Sequence, residues 1–456
     1  MEKARIETPR SSVSRRSFLG LGVGAAAATA VAACGGTSGS SSGSGGSTTV
    51  PATFSFSTYG DVGFYKQGFQ EMQAVTPKFK QVKFVSQEAT SSTAQTARLL
   101  TGIVGHAYST IPDVCEVQWS DVERLANAGV LVDLTDQLKP YASQVSPAVL
   151  QPVTVDGKTM ACPWRPNTCL FWYNDKILKE AGVDGSSITT YDEYMTAAKQ
   201  FSSHKFSDGK TRYMTNIEPT PTFNTMFLTQ QGATLFDKKT QKLLDFRNSD
   251  EFTNAFEFQV EQARSKISIS ITDYSATWYQ ALNQSLVASI LLPNWVDQDL
   301  RENAPAGKGD WRVAELPAFG AGGGRKALYG VAVVVAINKP NLNHDLAWSF
   351  MQKSFYDKSI TPKLYSQWYL EPCWYPVEAG TTWNSSLAYY GGQNPGAVDL
   401  EIQKGAYQEV GSPSYAQVTA ILSTALSKAQ QGQTSVKAAI DAAWSQCTQQ
   451  NIPVAS

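Results

Sequence analysis

The stretch from Met1 to Cys34 constrains this chain most, because it is not built to join a fold. Arg15 and Arg16 stand directly before Ser17, Phe18 and Leu19, and an uncharged run of Gly, Ala, Leu and Val leads to Val31-Ala32-Ala33-Cys34. A basic front, a short apolar middle and small residues before a cut site make an export signal. The run from Phe18 to Ala33 is shorter than the roughly 20 residues that a membrane-spanning helix needs, and it is poor in Leu and Ile. Gly35 to Thr49 is then almost wholly Gly, Ser and Thr. Such a segment cannot bury enough apolar surface to fold and behaves as a flexible tether, with a reach on the order of 20 Å. A tether has a use only if its front end is held. The expectation is a globular body on a short leash at the outer face of a membrane, where it captures, cuts or holds something.

Ser14-Arg15-Arg16-Ser17-Phe18-Leu19 resembles a twin-arginine export signal, with Gly20 where that motif often carries Lys. Val31-Ala32-Ala33-Cys34 resembles a bacterial lipobox, which implies cleavage before Cys34 and lipidation of that residue. The part left to fold, from Val50 on, is roughly 400 residues, enough for two or more domains, since single cores stop growing at about 250–300. Hydrophobic residues make up 42% of the chain, sufficient for well-built cores. The balance of 38 basic against 39 acidic residues excludes a nucleic-acid surface. His106, His204 and His344 lie far apart without metal-ligand spacing and are expected at structural or surface positions. No metal or cofactor is expected. After Cys34, the odd set Cys115, Cys162, Cys169, Cys373 and Cys447 leaves at least one thiol unpaired. Cys162 and Cys169 are close enough to bridge a loop. Buried thiols, in a protein folded before export, are the preferred reading.

Along the chain, Thr53 to Thr58 alternates Phe54 and Phe56 with Ser, the mark of a half-buried strand. A helix with Tyr65, Phe69, Met72 and Val75 on one face follows, then strands at Val82–Val85 and Val114–Val117 with a helix at Ser92–Leu100 between them. A further helix from about Asp121 ends at Gly129. Strand and helix in alternation indicate a parallel sheet covered on both faces, with ligand at the loops after the strand ends. Tyr59, Asp61, Trp119 and Asp121 are placed on such loops. Asp156-Gly157 reads as a hairpin turn. Thr190 with Glu193 reads as a capping box for a helix running to Phe201. A strand at Tyr213–Ile217 ends at Glu218, and the apolar strand Leu286–Leu292 ends at Pro293-Asn294-Trp295. Gly320 to Gly324 reads as a loop, Val331–Ile337 as a buried strand, and the C-terminal end as two helices broken at Gly432.

The order of these motifs resembles the extracellular solute-binding proteins of ABC importers, in the group that captures carbohydrates and includes maltose-binding protein. The likeness rests on Ile111-Pro112-Asp113-Val114 with Leu125 to Thr135, and on Val155 to Lys158 with Trp172 to Leu178. It rests also on Leu282 to Ala288 with Asn294-Trp295, and on Gly322 to Val331 with Ala347 to Met351. The family's usual Gly near Asn283 or Gln284 is missing. The resemblance implies an α/β fold of two lobes, each a mostly parallel sheet flanked by helices, with ligand in the cleft at the hinge. It divides the chain into a signal (1–34), a tether (35–50), lobe 1 (51–164 and 326–374) and lobe 2 (165–325 and 375–456). A hinge closes on the ligand, and a membrane permease reads the closed form. The partners it implies are a mono- or oligosaccharide, the permease, and a membrane through Cys34, for a monomeric protein that is not an enzyme.

A sugar cleft needs flat aromatics against ring faces and carboxylates, amides or Arg against hydroxyls. Trp295 is the leading candidate, since the resemblance places a stacking Trp there, and a core Trp is the alternative. Asp297 either pairs hydroxyls or favours a helix start. Trp119 and Asp121 follow the third strand, and Asp121 fits a helix cap equally well. Arg165 and Asn167 lie in the crossover, Glu218 ends a strand, and Tyr59 and Asp61 occupy the first loop. Tyr329, Trp368 and Trp374 are weaker candidates, and the two Trp fit hinge packing as well. Two other readings remain: an exported glycoside hydrolase using Glu218, Asp121 or Asp297, and the same fold with a non-sugar solute.

Overall fold

The computed structural model describes residues 50–455 apart from 61, 329–333, 341–342, 379, 381–382, 384 and 408. The export signal, the tether, Cys34 and the candidates Asp61 and Tyr329 lie outside the described residues. The strands in chain order are β1 (Thr53–Thr58), β2 (Lys83–Glu88), β3 (Val114–Val117), β4 (Thr154–Val155), β5 (Lys158–Thr159), β6 (Cys162–Pro163), β7 (Cys169–Asn174), β8 (Thr215–Ile217), β9 (Ser268–Ser270), β10 (Ser289–Pro293), β11 (Trp311–Glu315) and β12 (Val334–Ile337).

Lobe 1 is built on the sheet β2-β1-β3-β12-β6. Its first three strands are parallel, whereas β12 runs antiparallel to both β3 and β6. The expected alternation explains the near face: Phe54 and Phe56 pack with Phe69 and Phe350, ring centroids 4.9–6.0 Å apart. The helix Gly63–Val75 buries Tyr65, Phe69 and Met72 as expected, but Val75, at its last position, is 56% exposed. The helix Trp119–Asn127 begins two residues earlier than expected, so Trp119 and Asp121 lie in its first turn and not on a loop. Gly129 ends it at φ +71°, a conformation that costs a glycine little. The Asp156-Gly157 hairpin forms as expected, with φ +49° and +76° at its two turn residues.

Lobe 2 departs from the parallel plan. Its ladder β10-β7-β11 is antiparallel throughout, and β8 and β9 form a parallel pair beside it. The Ser289 amide donates to the Met214 carbonyl (2.8 Å), which ties the pair to the ladder. The strand–helix spacing behind the parallel expectation held only for consecutive strands. β7 enters from the other lobe and meets partners from distant stretches, so no crossover helix dictates its direction. Its residues alternate between two cores: Cys169, Phe171 and Tyr173 face one, and Leu170 and Trp172 the other. Ile290 and Val313, opposite Trp172 in the register, share its side. A strand covered on both faces must be apolar at every position, which is why Cys-Leu-Phe-Trp-Tyr shows no polar alternation.

The capping box at Thr190 and Glu193 is complete, and Asn174 and Ser249 cap the helices that follow them. The C-terminal helices Tyr415–Gln430 and Val436–Gln449 pack with Asp250–Arg264 against lobe 2. No disulfide joins Cys162 to Cys169, and all five described cysteines are buried. Burial pushes the Cys115 and Cys162 thiols up to about 12, so both stay neutral and inert.

The lobes are joined where β6 leads to β7. Trp164 stacks on Phe64 (4.7 Å) in the lobe 1 core, and its carbonyl accepts the Tyr365 hydroxyl (2.6 Å). The Cys169 amide donates to Ala327 (3.0 Å), so the outgoing and returning strands run side by side. The Trp172 ring is fully buried, and its Nε1 donates to the Leu292 carbonyl (3.0 Å). Replacing it, Trp172→Ala, is expected to destabilise lobe 2 by about 3–5 kcal/mol through the cavity it leaves. Chemical denaturation checks this, and an unchanged midpoint would contradict it.

Candidate functional site

Lobe 2 offers a cavity of about 350 Å³ at the ends of β8 and β10. Its mouth carries three aromatic rings. The Trp295 ring is half-buried, and its Nε1 donates to the Tyr274 hydroxyl (2.7 Å). The Tyr274 and Trp278 rings are 5.3 Å apart. Tyr274 is 45% exposed and sits at φ +60°, a strained conformation for a tyrosine, which fixes its ring at the surface of the site. Trp295 opens the helix Val296–Asn303, and Pro293 ends the strand before it, so strand and helix together aim the indole.

Two carboxylates border these rings. Glu218 follows β8, and its Oε1 accepts the Asp273 amide (2.8 Å). Asn216 donates to Asp273 Oδ1 (2.6 Å) and to the Ile271 carbonyl (2.9 Å), which clamps the 271–273 loop onto β8. Burial and the nearby Glu218 charge push the Asp273 carboxyl up to about 7. Asp299 lies one helical turn past Trp295 and accepts the Tyr279 hydroxyl; burial pushes it up to about 6. Flat rings beside hydrogen-bonding carboxylates and amides suit a polyhydroxylated ring compound.

Lobe 1 contributes a smaller hollow of about 90 Å³, lined by Gly60, Tyr65, Glu116, Trp164 and Arg165 with Gln298 and Trp368. Glu116 is buried in the middle of β3, where it accepts the Thr58 hydroxyl, and burial raises its carboxyl above the ordinary range. Arg165 stands 5.1 Å from the Trp164 ring and is the cation that opposes Glu116 and Asp299. Tyr59 directly precedes this hollow, and its hydroxyl is buried without a hydrogen-bond partner among the described residues. Asn167 is buried in the crossover.

The structure thus sets Glu218 and Trp295 at the lobe 2 cavity, and Tyr59 and Arg165 at the lobe 1 hollow. Four other candidates stand elsewhere. Asp297 is 1% exposed, paired with Arg301 and accepting the Tyr390 hydroxyl, so it faces the protein interior. Trp374 is buried in the lobe 1 core, where its Nε1 donates to Gln144 (2.8 Å). Trp119 meets Tyr415 edge-on (5.2 Å) in a separate crevice with Glu123, Lys238 and Glu409. Asp121 accepts the Thr96 hydroxyl (2.7 Å) and pairs with Arg124 (3.1 Å), and it caps nothing. Sequence reasoning missed Asp273, Tyr274, Trp278 and Glu116. The first three lie in a stretch without strand periodicity, but Glu116 left a signal, a lone charge inside the apolar strand Val-Cys-Glu-Val. Among the described residues no group of His, Cys, Asp and Glu is placed to hold a metal, and no helix is long and apolar enough to cross a membrane.

Residues 25–353 match the family described as bacterial extracellular solute-binding protein. Two arabinooligosaccharide-binding proteins, from Halalkalibacterium halodurans and Bacillus subtilis, are each 26% identical over 259 and 262 residues, 56% of this chain. The matched stretch spans 57% and 58% of those proteins, a little over half their length. Among solved structures, an ABC transporter associated binding protein from B. animalis subsp. lactis, in complex with β-1,6-galactobiose, superposes with a TM-score of 0.72 at 20% identity. It covers 90% of this chain and 100% of its own. The sugar-binding protein MalE of Xanthomonas citri gives 0.67 at 19% identity, covering 86% and 96%. These likenesses establish the two-lobed periplasmic-binding-protein fold.

Asp273 gives this site a stability signature. Its carboxyl titrates near 3.8 when unfolded and at about 7 when folded, so the native state holds the extra proton between those values. The burden of the buried charge is absent below the unfolded value and complete above the folded one. Asp273→Asn is expected to raise the melting temperature at about pH 8 relative to the parent chain, with the gain shrinking toward pH 4. A gain independent of pH would contradict the assignment.

Proposed function

The chain belongs to the bacterial extracellular solute-binding proteins, and we propose from this that it captures a mono- or oligosaccharide outside the cell and passes it unaltered to the permease of an ABC importer. The observation that carries the reading is the cluster of Trp295, Tyr274 and Trp278 over Glu218 and Asp273 at the mouth of one cavity. Apolar ring faces stack on the accessible Trp295 and Tyr274 rings, which the buried Trp278 supports from behind, and hydroxyls donate to the carboxylates. The arabinooligosaccharide-binding relatives and the galactobiose-bound neighbour support a carbohydrate ligand. In the mechanism, sugar docks first on the lobe 2 rings. Closure about the crossover at 165–168 then brings Tyr59, Glu116 and Arg165 over it and strips away water. The protein works as a monomer, tethered through a lipid on Cys34 at the outer face of the membrane.

The paired carboxylates Glu218 and Asp273, one of them raised toward neutrality, are the observation a glycoside hydrolase reading would use. The Asp273 backbone amide donates to Glu218, so the two lie side by side and not across a scissile bond. Calorimetric titration with neutral mono- and oligosaccharides tests the capture reading. Saturable binding with recovery of intact sugar is expected, whereas release of reducing ends would favour the hydrolase. Trp295→Ala is expected to weaken binding by about 1–3 kcal/mol with the fold retained, from lost stacking area. Equal affinity in that variant would remove Trp295 from the site.

A further inference from the structure

The lining of the lobe 2 cavity is one-sided in charge. Glu218 and Asp273 are in it, and so are the neutral amides Asn216, Gln262 and Gln430, while Lys, Arg and His are absent among the described lining residues. The groups whose charges act on Asp273 are Glu218 and Asp299, both acidic. Arg165, the cation of the opposite lobe, acts on Asp299, Glu116 and Glu371. It lines the lobe 1 hollow and not this cavity.

We infer that this cavity sorts sugars by charge: it takes units that are neutral or carry a primary amine and rejects uronic acids and sugar phosphates, with Glu218 and Asp273 as the filter. The inference rests on the sugar-capture reading. The physical ground is direct. On docking in the lobe 2 cavity, before closure brings Arg165 near, a ligand carboxylate or phosphate would be desolvated against two protein carboxylates with no counter-ion in that wall, a like-charge contact that screening relieves little in a partly enclosed space. A neutral hydroxyl meets no such barrier. It can donate to Glu218 and, while Asp273 keeps its proton, accept from Asp273. An ammonium gains more, because its charge favours the ionised form of Asp273, whose proton passes to solvent, and it then pairs with both carboxylates. Specificity of this kind comes from repulsion of the wrong ligand as much as from attraction of the right one.

The test uses the lipid-free mature chain at about pH 7.5, with binding followed by calorimetry and by tryptophan fluorescence. The neutral probes are arabinotriose, β-1,6-galactobiose and maltotriose. The amine probe is the chitosan trisaccharide, and the acidic probes are digalacturonic acid and glucose 6-phosphate. The best neutral or amine probe is expected to bind at least about a hundredfold more tightly than either acid. In the double variant Glu218→Gln, Asp273→Asn, the gap is expected to shrink below about tenfold, with a thermal melt confirming the fold. An acidic probe binding within about tenfold of the best neutral one overturns the filter and leaves sugar capture standing. A gap unchanged in the double variant overturns the assignment to these two residues. If no probe binds at all, the capture reading fails and the filter falls with it.

Discussion

Trp164 is stacked into one core and Cys169 is hydrogen-bonded into the sheet of the other, with only Arg165, Pro166, Asn167 and Thr168 between them. This short span is the constraint on which the rest depends. Each end is held by a fully packed core. The same span presents Arg165 on the lobe 1 side, where its charge acts on Asp299 in the first turn of the helix Val296–Asn303. The residue that leaves one core for the other therefore also lines the lobe 1 hollow.

Behind the cleft, a second set of charges is used for architecture. Asp297, Glu371 and Asp399 are all buried, and Arg301 pairs with the first of them. Burial, together with the neighbouring Asp297 and Asp399, holds Glu371 well above the ordinary carboxylate range. Asp399 accepts from Asn294 (3.2 Å) and Gln403 (2.9 Å), so the loop that ends in Trp295 is anchored from below. Such buried charge contributes little net stability unless each partner is satisfied. Its effect here is to fix where the indole stands. Two aspartates two residues apart in one helix thus take opposite parts: Asp297 faces inward to Arg301, and Asp299 faces Tyr279 and the rim.

Local chemistry was legible along the chain wherever it acts within a few residues. The capping box at Thr190, the Asp156-Gly157 turn and the stop at Gly129 depend only on neighbouring backbone groups, and each stands as read. Strand direction in lobe 2 was not legible, because β7 takes its partners from more than a hundred residues away. The site was readable in part. Trp295 and Glu218 close regular strands and could be placed at their ends. Asp273 is held by Asn216 across a turn, and Tyr274 by Trp295, contacts without a periodic signal.

The amino-acid sequence alone carried the alternation that buries Phe54 and Phe56, the local turns and caps, and, through its order of motifs, the likeness to a two-lobed fold. Those features follow from short-range periodicity and from which residues can or cannot bury surface. Only the tertiary structure decided which polar groups line a cavity and which face the interior. Trp374 turned inward because Gln144, brought close by folding, satisfies it there, and Asp297, whose ion-pair partner Arg301 stands one helical turn on, is buried because folding also brings the Tyr390 hydroxyl to it. Asp273 gained its raised carboxyl because folding buried it and, second, set the charge of Glu218, remote along the chain, against it. Burial and charge proximity belong to the assembled structure, and no window of sequence contains them.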